Sequence, residues 1–417
     1  MSRLGTATVE TLLSALLLLP AAPVEAASWL KDVETLKSKG DAAGALARLE
    51  SEPASAEVED EKGFLLAVLK RRPEAIAHFE RALAIDPRHA PAAFHLGVAL
   101  WLESPGAAAL ELLKRAAEIG PENFEYRSRY AQALDEMGRY GEAAREFQAA
   151  AALKPRDAAL WYRLGLAAQR SGDRKTALRA YEKAVAFNPA DPIARNNFGF
   201  ILVETGEAGR GLEQFQAVLA RDPKNVAAHG NTGFAWLQKG EFAKAIAAYE
   251  RALVLDPASA PMHYNLGLAL KQKDDLDGAK RSLRRAIELD PGIPEAHYTL
   301  GITHWQAGEL SDAEREMRAA AAGNPAYAEA FVMLGTVLRQ QGKNGEALEA
   351  LRNAIRLDPE SPGPYTQLGQ ILRASGDAEG SRKAYAEAAR VKAKRESEQK
   401  AMFDRSVTET VGARRRP

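Results

Sequence analysis

The chain has no cysteine, which excludes disulfides, thiolate metal sites and a thiol nucleophile. Charge of a prevailing sign is also missing: 56 basic residues balance 56 acidic ones in 417. A neutral chain carries no field that gathers nucleic acid or an anionic membrane, so electrostatics names no ligand class. No Gly-x-x-x-x-Gly-Lys-Ser/Thr, Gly-x-Ser-x-Gly or His-Glu-x-x-His occurs. Segments alternating with period two are too short to indicate a sheet. Catalytic residues and cofactors are therefore not expected, and neither is a metal.

What the N-terminus does have is an apolar run from Leu12 to Val24, behind Arg3. It is too short to span a bilayer, and small residues around Val24-Glu-Ala26 offer a cleavage site. Residues 1–26 are expected to be a secretory signal, which places the mature chain in a periplasm or cell envelope. Without cleavage the segment becomes a first helix packed on the fold and the protein stays cytoplasmic. The mature chain is expected to insert in no membrane.

The chain is ruled by one period. Pro87, Pro121, Pro155, Pro189, Pro223, Pro257, Pro291, Pro325 and Pro359 stand 34 residues apart throughout. Ten residues after each proline comes glycine, from Gly97 to Gly369, with Ala131 as the one substitute. Alanine recurs 22 and 29 residues after it, as at Ala143 and Ala150 or Ala245 and Ala252. A large residue such as Phe147, Tyr181, Phe215, Tyr249 or Leu283 sits between the alanines and fills the space they leave. A second glycine column, including Gly138, Gly172, Gly206 and Gly240, permits the left-handed backbone that ends a first helix, and the proline stops a second. Each period is expected to be an antiparallel helical hairpin.

These columns resemble the tetratricopeptide repeat family, over about ten units spanning residues 56–395. The resemblance implies an all-α, right-handed superhelical solenoid that binds other proteins. Residues 27–55 are expected to form a degenerate capping hairpin, and residues 396–417 a charged extension of the last helix, with disorder from Ser406. His229, His263 and His297 all lie six residues after a proline. Equivalent positions in neighbouring hairpins stand on the order of 10 Å apart, whereas ligands of one metal lie roughly 2 Å from it. Trp161, Arg195, Phe331 and Tyr365 share that column, so a packing role is expected.

The first helix of each unit is expected to line the inner wall. Eight residues after the proline come Arg129, Arg163, Asn197, Asn231 and Asn265, and fifteen after it come Gln238, Gln272, Gln306 and Gln340. The two columns differ by two helical turns and share a face, with Phe200 and Phe234 between them. A primary amide donates and accepts, as the backbone of an extended peptide requires. Asn197, Asn231 and Asn265 are similar to the asparagine ladder in the superhelical domain of O-linked N-acetylglucosamine transferase, whose catalytic part is absent. Chaperone adaptors of the family clamp a C-terminal carboxylate with a lysine or arginine seven residues after the proline and an asparagine eleven after it. Neither slot is so filled here. Arg129, Arg163 and Arg170 are candidates to meet an acidic segment.

The partner is thus expected to be a protein or extended peptide, and not nucleic acid. The envelope setting brings assembly or secretion into consideration as the process served. Two other roles stay open: a subunit presenting substrate to a separate enzyme, and a homo-oligomeric structural element.

Overall fold

The computed structural model describes residues 28–413, all of whose regular elements are α-helices. The expected signal segment lies outside the described residues. The chain divides between Ala194 and Arg195 into two compact units.

Unit 1 holds α1 (Ser28–Ser38), α2 (Ala42–Leu49), α3 (Ala56–Val68), α4 (Arg72–Ile85), α5 (Ala90–Glu103), α6 (Ala107–Ile119), α7 (Phe124–Glu136), α8 (Tyr140–Leu153), α9 (Ala158–Arg170) and α10 (Arg174–Phe187). Within it each helix packs on the next along the chain. Its first hairpin is closed by Val33, Ala45 and Leu49, packed with Val58 and Leu65 of α3, and α2 has only 8 residues.

Unit 2 takes in most of α11 (Pro192–Glu204), then α12 (Ala208–Leu219), α13 (Val226–Gln238), α14 (Phe242–Leu255), α15 (Ala260–Gln272), α16 (Leu276–Leu289), α17 (Pro294–Gln306), α18 (Leu310–Gly323), α19 (Ala328–Gln340), α20 (Asn344–Leu357), α21 (Pro362–Ala374) and α22 (Ala378–Ala413). Here too sequence neighbours pack together, and first helices of successive hairpins also meet directly: α13 with α15, α15 with α17, α17 with α19 and α19 with α21. That direct approach puts the first helices on the closely packed, inner side of the stack. The last helix, α22, runs on to Ala413. No proline falls between Pro364 and Pro417, so nothing in the backbone chemistry stops it.

The glycine column works by close approach. A Cβ added at Gly165 would stand 2.6 Å from the Tyr181 ring, one at Gly199 2.5 Å from Phe215, and one at Gly233 2.7 Å from Tyr249. Ordinary carbon contact is about 3.5–4.0 Å, so only glycine admits an aromatic ring at this depth. The turn between the helices of a hairpin needs a positive φ, supplied by glycine at Gly240 (φ 73°) among others, while Lys70 (φ 63°) and Asp274 (φ 67°) hold the same slot without that freedom. At the start of the first helices, Asn123, Asp157 and Asn225 accept hydrogen bonds from backbone N–H groups of the first turn.

Candidate functional site

In unit 2 the expected face is assembled from one side of α11, α13, α15, α17 and α19. Asn197, Asn231 and Asn265 sit half-buried on α11, α13 and α15. The amides of Asn231 and Asn265 have no hydrogen-bond partner among the described residues, although both are partly withdrawn from water. Phe200 and Phe234 stack on each other, with ring centroids 5.3 Å apart and planes 23° apart. Gln238, Gln272, Gln306 and Gln340 are exposed at the C-terminal ends of their helices. Gln340 is already engaged, since its Oε1 accepts from Trp305 Nε1 at 2.8 Å. The face is thus a stacked aromatic pair flanked by amides, with Asn196 inward of it. Asn196 is buried, donates weakly to Asn225 Oδ1 at 3.4 Å, and leaves its own Oδ1 unpaired.

The histidine column turns out to select a donor as well as bulk. His229 Nε2–H donates to the Pro223 carbonyl at 3.0 Å and His263 Nε2–H to the Pro257 carbonyl at 3.1 Å. Trp161 donates to Pro155, and Arg127, one repeat before it in the column, to Pro121. Each donor satisfies a carbonyl of the loop that the proline creates, so the periodic proline and the residue six later form one device. His297 differs and pairs through Nδ1 with Glu316 at 2.8 Å. Its partner Glu316 is buried, as are Glu59 and Asp60.

His304, Glu309 and Asp312 bring their ligand atoms within 4.8 Å of one another. Glu309 is nevertheless taken on both oxygens, by the buried His304 ring through Nδ1 and by Lys280 Nζ at 2.8 Å. Lys280 also pairs with Asp277 at 2.9 Å. An ammonium already stands where a cation would, and the cluster ties α16 to α17 and α18.

In unit 1 the expected arginines separate. Arg170 is bound to Asp135 at 3.0 Å. Arg163 is exposed, and Arg129 is half-buried with a buried, unpaired Nε. Burial pushes the Arg129 guanidinium below its ordinary pKa, which Glu136 opposes and the positive charge of Arg163 reinforces. Arg129 opens onto a recess of about 710 Å³, walled by Phe64, Phe79, Phe94 and Phe124 with Val98, Leu102 and His95, and rimmed by Lys70, Arg72, Ser128 and Gln132. His95 lies within 5.4–5.7 Å of the Phe79, Phe64 and Phe94 ring centroids and binds Asp60 Oδ1 through Nδ1 at 2.8 Å. Burial pushes the Asp60 carboxyl up, but attraction to His95, its hydrogen bond and the nearby His89 outweigh it and hold it below the usual range. Burial likewise pulls His95 down, and the charge of Asp60 reverses this to leave it raised.

Family profiles tile the chain. Tetratricopeptide repeat profiles match residues 65–124, 106–169, 264–328, 298–362 and 332–398, and the profile for the cytochrome c-type biogenesis protein H TPR domain matches residues 151–263, so that coverage is unbroken from 65 to 398. The chain belongs to the tetratricopeptide repeat family. No curated protein matches it. Among solved structures it is similar to MamA, with 28% identity, 40% of this chain and 96% of that one covered, and a TM-score of 0.39. YrrB, described as a TPR protein with an unusual peptide-binding site, has 26% identity, coverage of 48% and 100%, and a TM-score of 0.38. Yeast Tom70 has 14% identity, coverage of 94% and 97%, and a TM-score of 0.49.

The tetratricopeptide columns also locate what inspection passed over. His95 is eight residues after Pro87, in the column of Arg129 and Asn231. Through unit 1 that slot holds Glu61, His95, Arg129 and Arg163, and amides follow at the start of unit 2. Phe64, eleven residues after Pro53, shares the column of Phe200 and Phe234 and could have been found by it, whereas Phe79 belongs to a framework column and Phe94 and Phe124 to variable columns that give no such lead.

Proposed function

We propose that the chain is a non-enzymatic scaffold that holds an extended segment of a partner protein on the inner face of unit 2. Asn197, Asn231 and Asn265 grip the backbone, Gln238, Gln272 and Gln306 add donors and acceptors two turns along, and Phe200 with Phe234 gives an apolar seat. The observation carrying this is the pair of half-buried amides at Asn231 and Asn265 without a hydrogen-bond partner among the described residues. Two half-buried amides in register, each with donor and acceptor unused within the fold, are complementary to a peptide backbone.

Affinity capture with the wild-type chain beside Asn197→Ala/Asn231→Ala/Asn265→Ala tests the grip. Each lost amide contact is worth about 0.5–1.5 kcal/mol, so three reduce partner recovery by roughly tenfold or more. Undiminished recovery by the triple variant overturns the backbone grip.

Export through residues 1–26 belongs to the same proposal. The match over residues 151–263 to a profile named for cytochrome c-type biogenesis supports a role in the biogenesis of other proteins. N-terminal sequencing of the mature chain checks the export: a start at or near Ala27 is expected, and a start at Met1 or Ser2 removes the envelope setting.

A further inference from the structure

The recess in unit 1 is unlike the face in unit 2. Its floor is aromatic, and three cations at its rim, Lys70, Arg72 and Arg129, make no side-chain hydrogen bond or ion pair among the described residues. Arg71 next door, by contrast, is bound to Glu74. The nearest acid that could neutralise Arg129 is Glu136, whose two oxygens already accept from Trp101 Nε1 at 2.8 Å and Gln132 Nε2 at 3.0 Å. Glu125, the single acid of the wall, faces the charge of Lys154, which lies over the Phe124 ring at 3.6 Å. A half-buried guanidinium without an acceptor, above an apolar hollow, lowers the stability of the free protein and suits an anion delivered with an apolar body.

We propose that this recess is a second binding site, for a linear protein segment in which a large apolar side chain stands beside Asp or Glu. It deepens the scaffold reading and rests on it only in taking the occupant to be polypeptide. The apolar side chain enters among Phe64, Phe94 and Phe124, and the neighbouring carboxylate is received by Arg129, whose planar guanidinium offers two parallel N–H donors. Lys70 and Arg72 hold further negative charge at the rim. A recess of about 710 Å³ has room for an aromatic side chain and its flanking backbone. Because the partner supplies an acceptor that the Arg129 guanidinium lacks in the free protein, specificity for the acidic residue is built into the site.

The test uses the full chain, immobilised, against a library of acetylated, amidated nonapeptides randomised at three central positions in a Gly-Ser background. Selection of Phe, Tyr, Trp or Leu adjacent to Asp or Glu is expected. The best sequence, labelled with fluorescein and followed by anisotropy, is expected to weaken about 10- to 100-fold with Arg129→Met and similarly when its Asp or Glu is replaced by Asn or Gln. Asn231→Ala/Asn265→Ala should leave this peptide's affinity unchanged, which separates the site from the unit 2 face. Arg129→Met should also unfold at the same or a higher temperature than wild type, since it removes an unpaired buried charge. Lys70→Gly gives an independent variant with an undisturbed turn, because Lys70 already has a glycine-like φ of 63°. No selection of an apolar–acidic pair overturns the proposal, and so does selection that neither Arg129→Met nor Lys70→Gly weakens. Saturable binding of dodecanoate that depends on Arg129, with no peptide selected, reassigns the recess to a free amphiphilic acid.

Discussion

Tyr181 and Tyr249 occupy the same slot two repeats apart and should respond oppositely to loss of their hydroxyl. Both rings are wholly buried and press on a glycine of the first helix, Gly165 and Gly233 respectively. The Tyr181 hydroxyl donates to Gln169 Oε1 at 2.8 Å, whereas the Tyr249 hydroxyl is buried with no partner. The cause is in the repeat: the position twelve residues before Tyr181 is Gln169, and twelve before Tyr249 it is Leu237. Tyr181→Phe removes a satisfied bond and should destabilise by about 0.5–1.5 kcal/mol. Tyr249→Phe removes a buried hydroxyl whose desolvation penalty is about 1–3 kcal/mol, partly offset by the small void left, and should be neutral or stabilising by about 1 kcal/mol. Burial raises both phenol pKa values well above the ordinary value, so neither titrates near neutrality. Urea unfolding by circular dichroism gives the difference, and hydrogen exchange over α10 and α14 localises it, because a repeat array need not unfold in one step. Leu237→Gln supplies the missing acceptor, so Tyr249→Phe made on that background should become destabilising. Equal destabilisation by Tyr181→Phe and Tyr249→Phe, or no coupling between positions 237 and 249, would refute the reasoning.

The turn slot gives a second contrast. Gly240→Ala forces a side chain onto φ 73° and should cost roughly 1–2 kcal/mol, whereas Asp274→Gly relieves φ 67° and should be neutral or stabilising, both read from urea midpoints. A pH dependence follows from Asp60 and His95, which Glu61 and Lys37 also face, with His89 Nε2 3.7 Å from Asp60 Oδ2. The raised His95 contributes stability in full below its ordinary pKa near 6.5 and loses it as pH rises through the folded value. Asp60, held low, contributes above about 3.9 and loses it as pH falls through its own folded value. The pair therefore favours folding most between roughly pH 4 and 6.5, so the wild-type advantage over Asp60→Asn should be larger at pH 5.5 than at pH 8.5 in urea titrations.

How much was legible in the sequence follows from what repeats. Framework columns read directly because their partners repeat with them: Gly165 meets Tyr181, Gly199 meets Phe215 and Gly233 meets Tyr249, each sixteen residues on. Pairing at variable positions could not be read, because it depends on another variable position. Nothing in the column of His229 and His263 shows that the proline six residues back presents the acceptor carbonyl. His297, in that same column, turns instead to Glu316, nineteen residues later.

The column eight residues after the proline shows why variable positions carry function. Framework side chains are chosen to satisfy one another, so a polar residue there with a partner, such as Tyr181, explains itself. His95 in the variable column is also explained, by Asp60. Arg129 in unit 1, with a buried Nε, and the half-buried Asn231 and Asn265 in unit 2 have no such internal explanation. A fold held by contacts between neighbouring hairpins gains nothing from leaving these groups unpaired. Their unmet hydrogen bonds are complementary to a carboxylate in the first unit and to peptide amides in the second. The same framework can therefore offer two chemically distinct grips, because the slot that faces inward is the one its packing does not constrain.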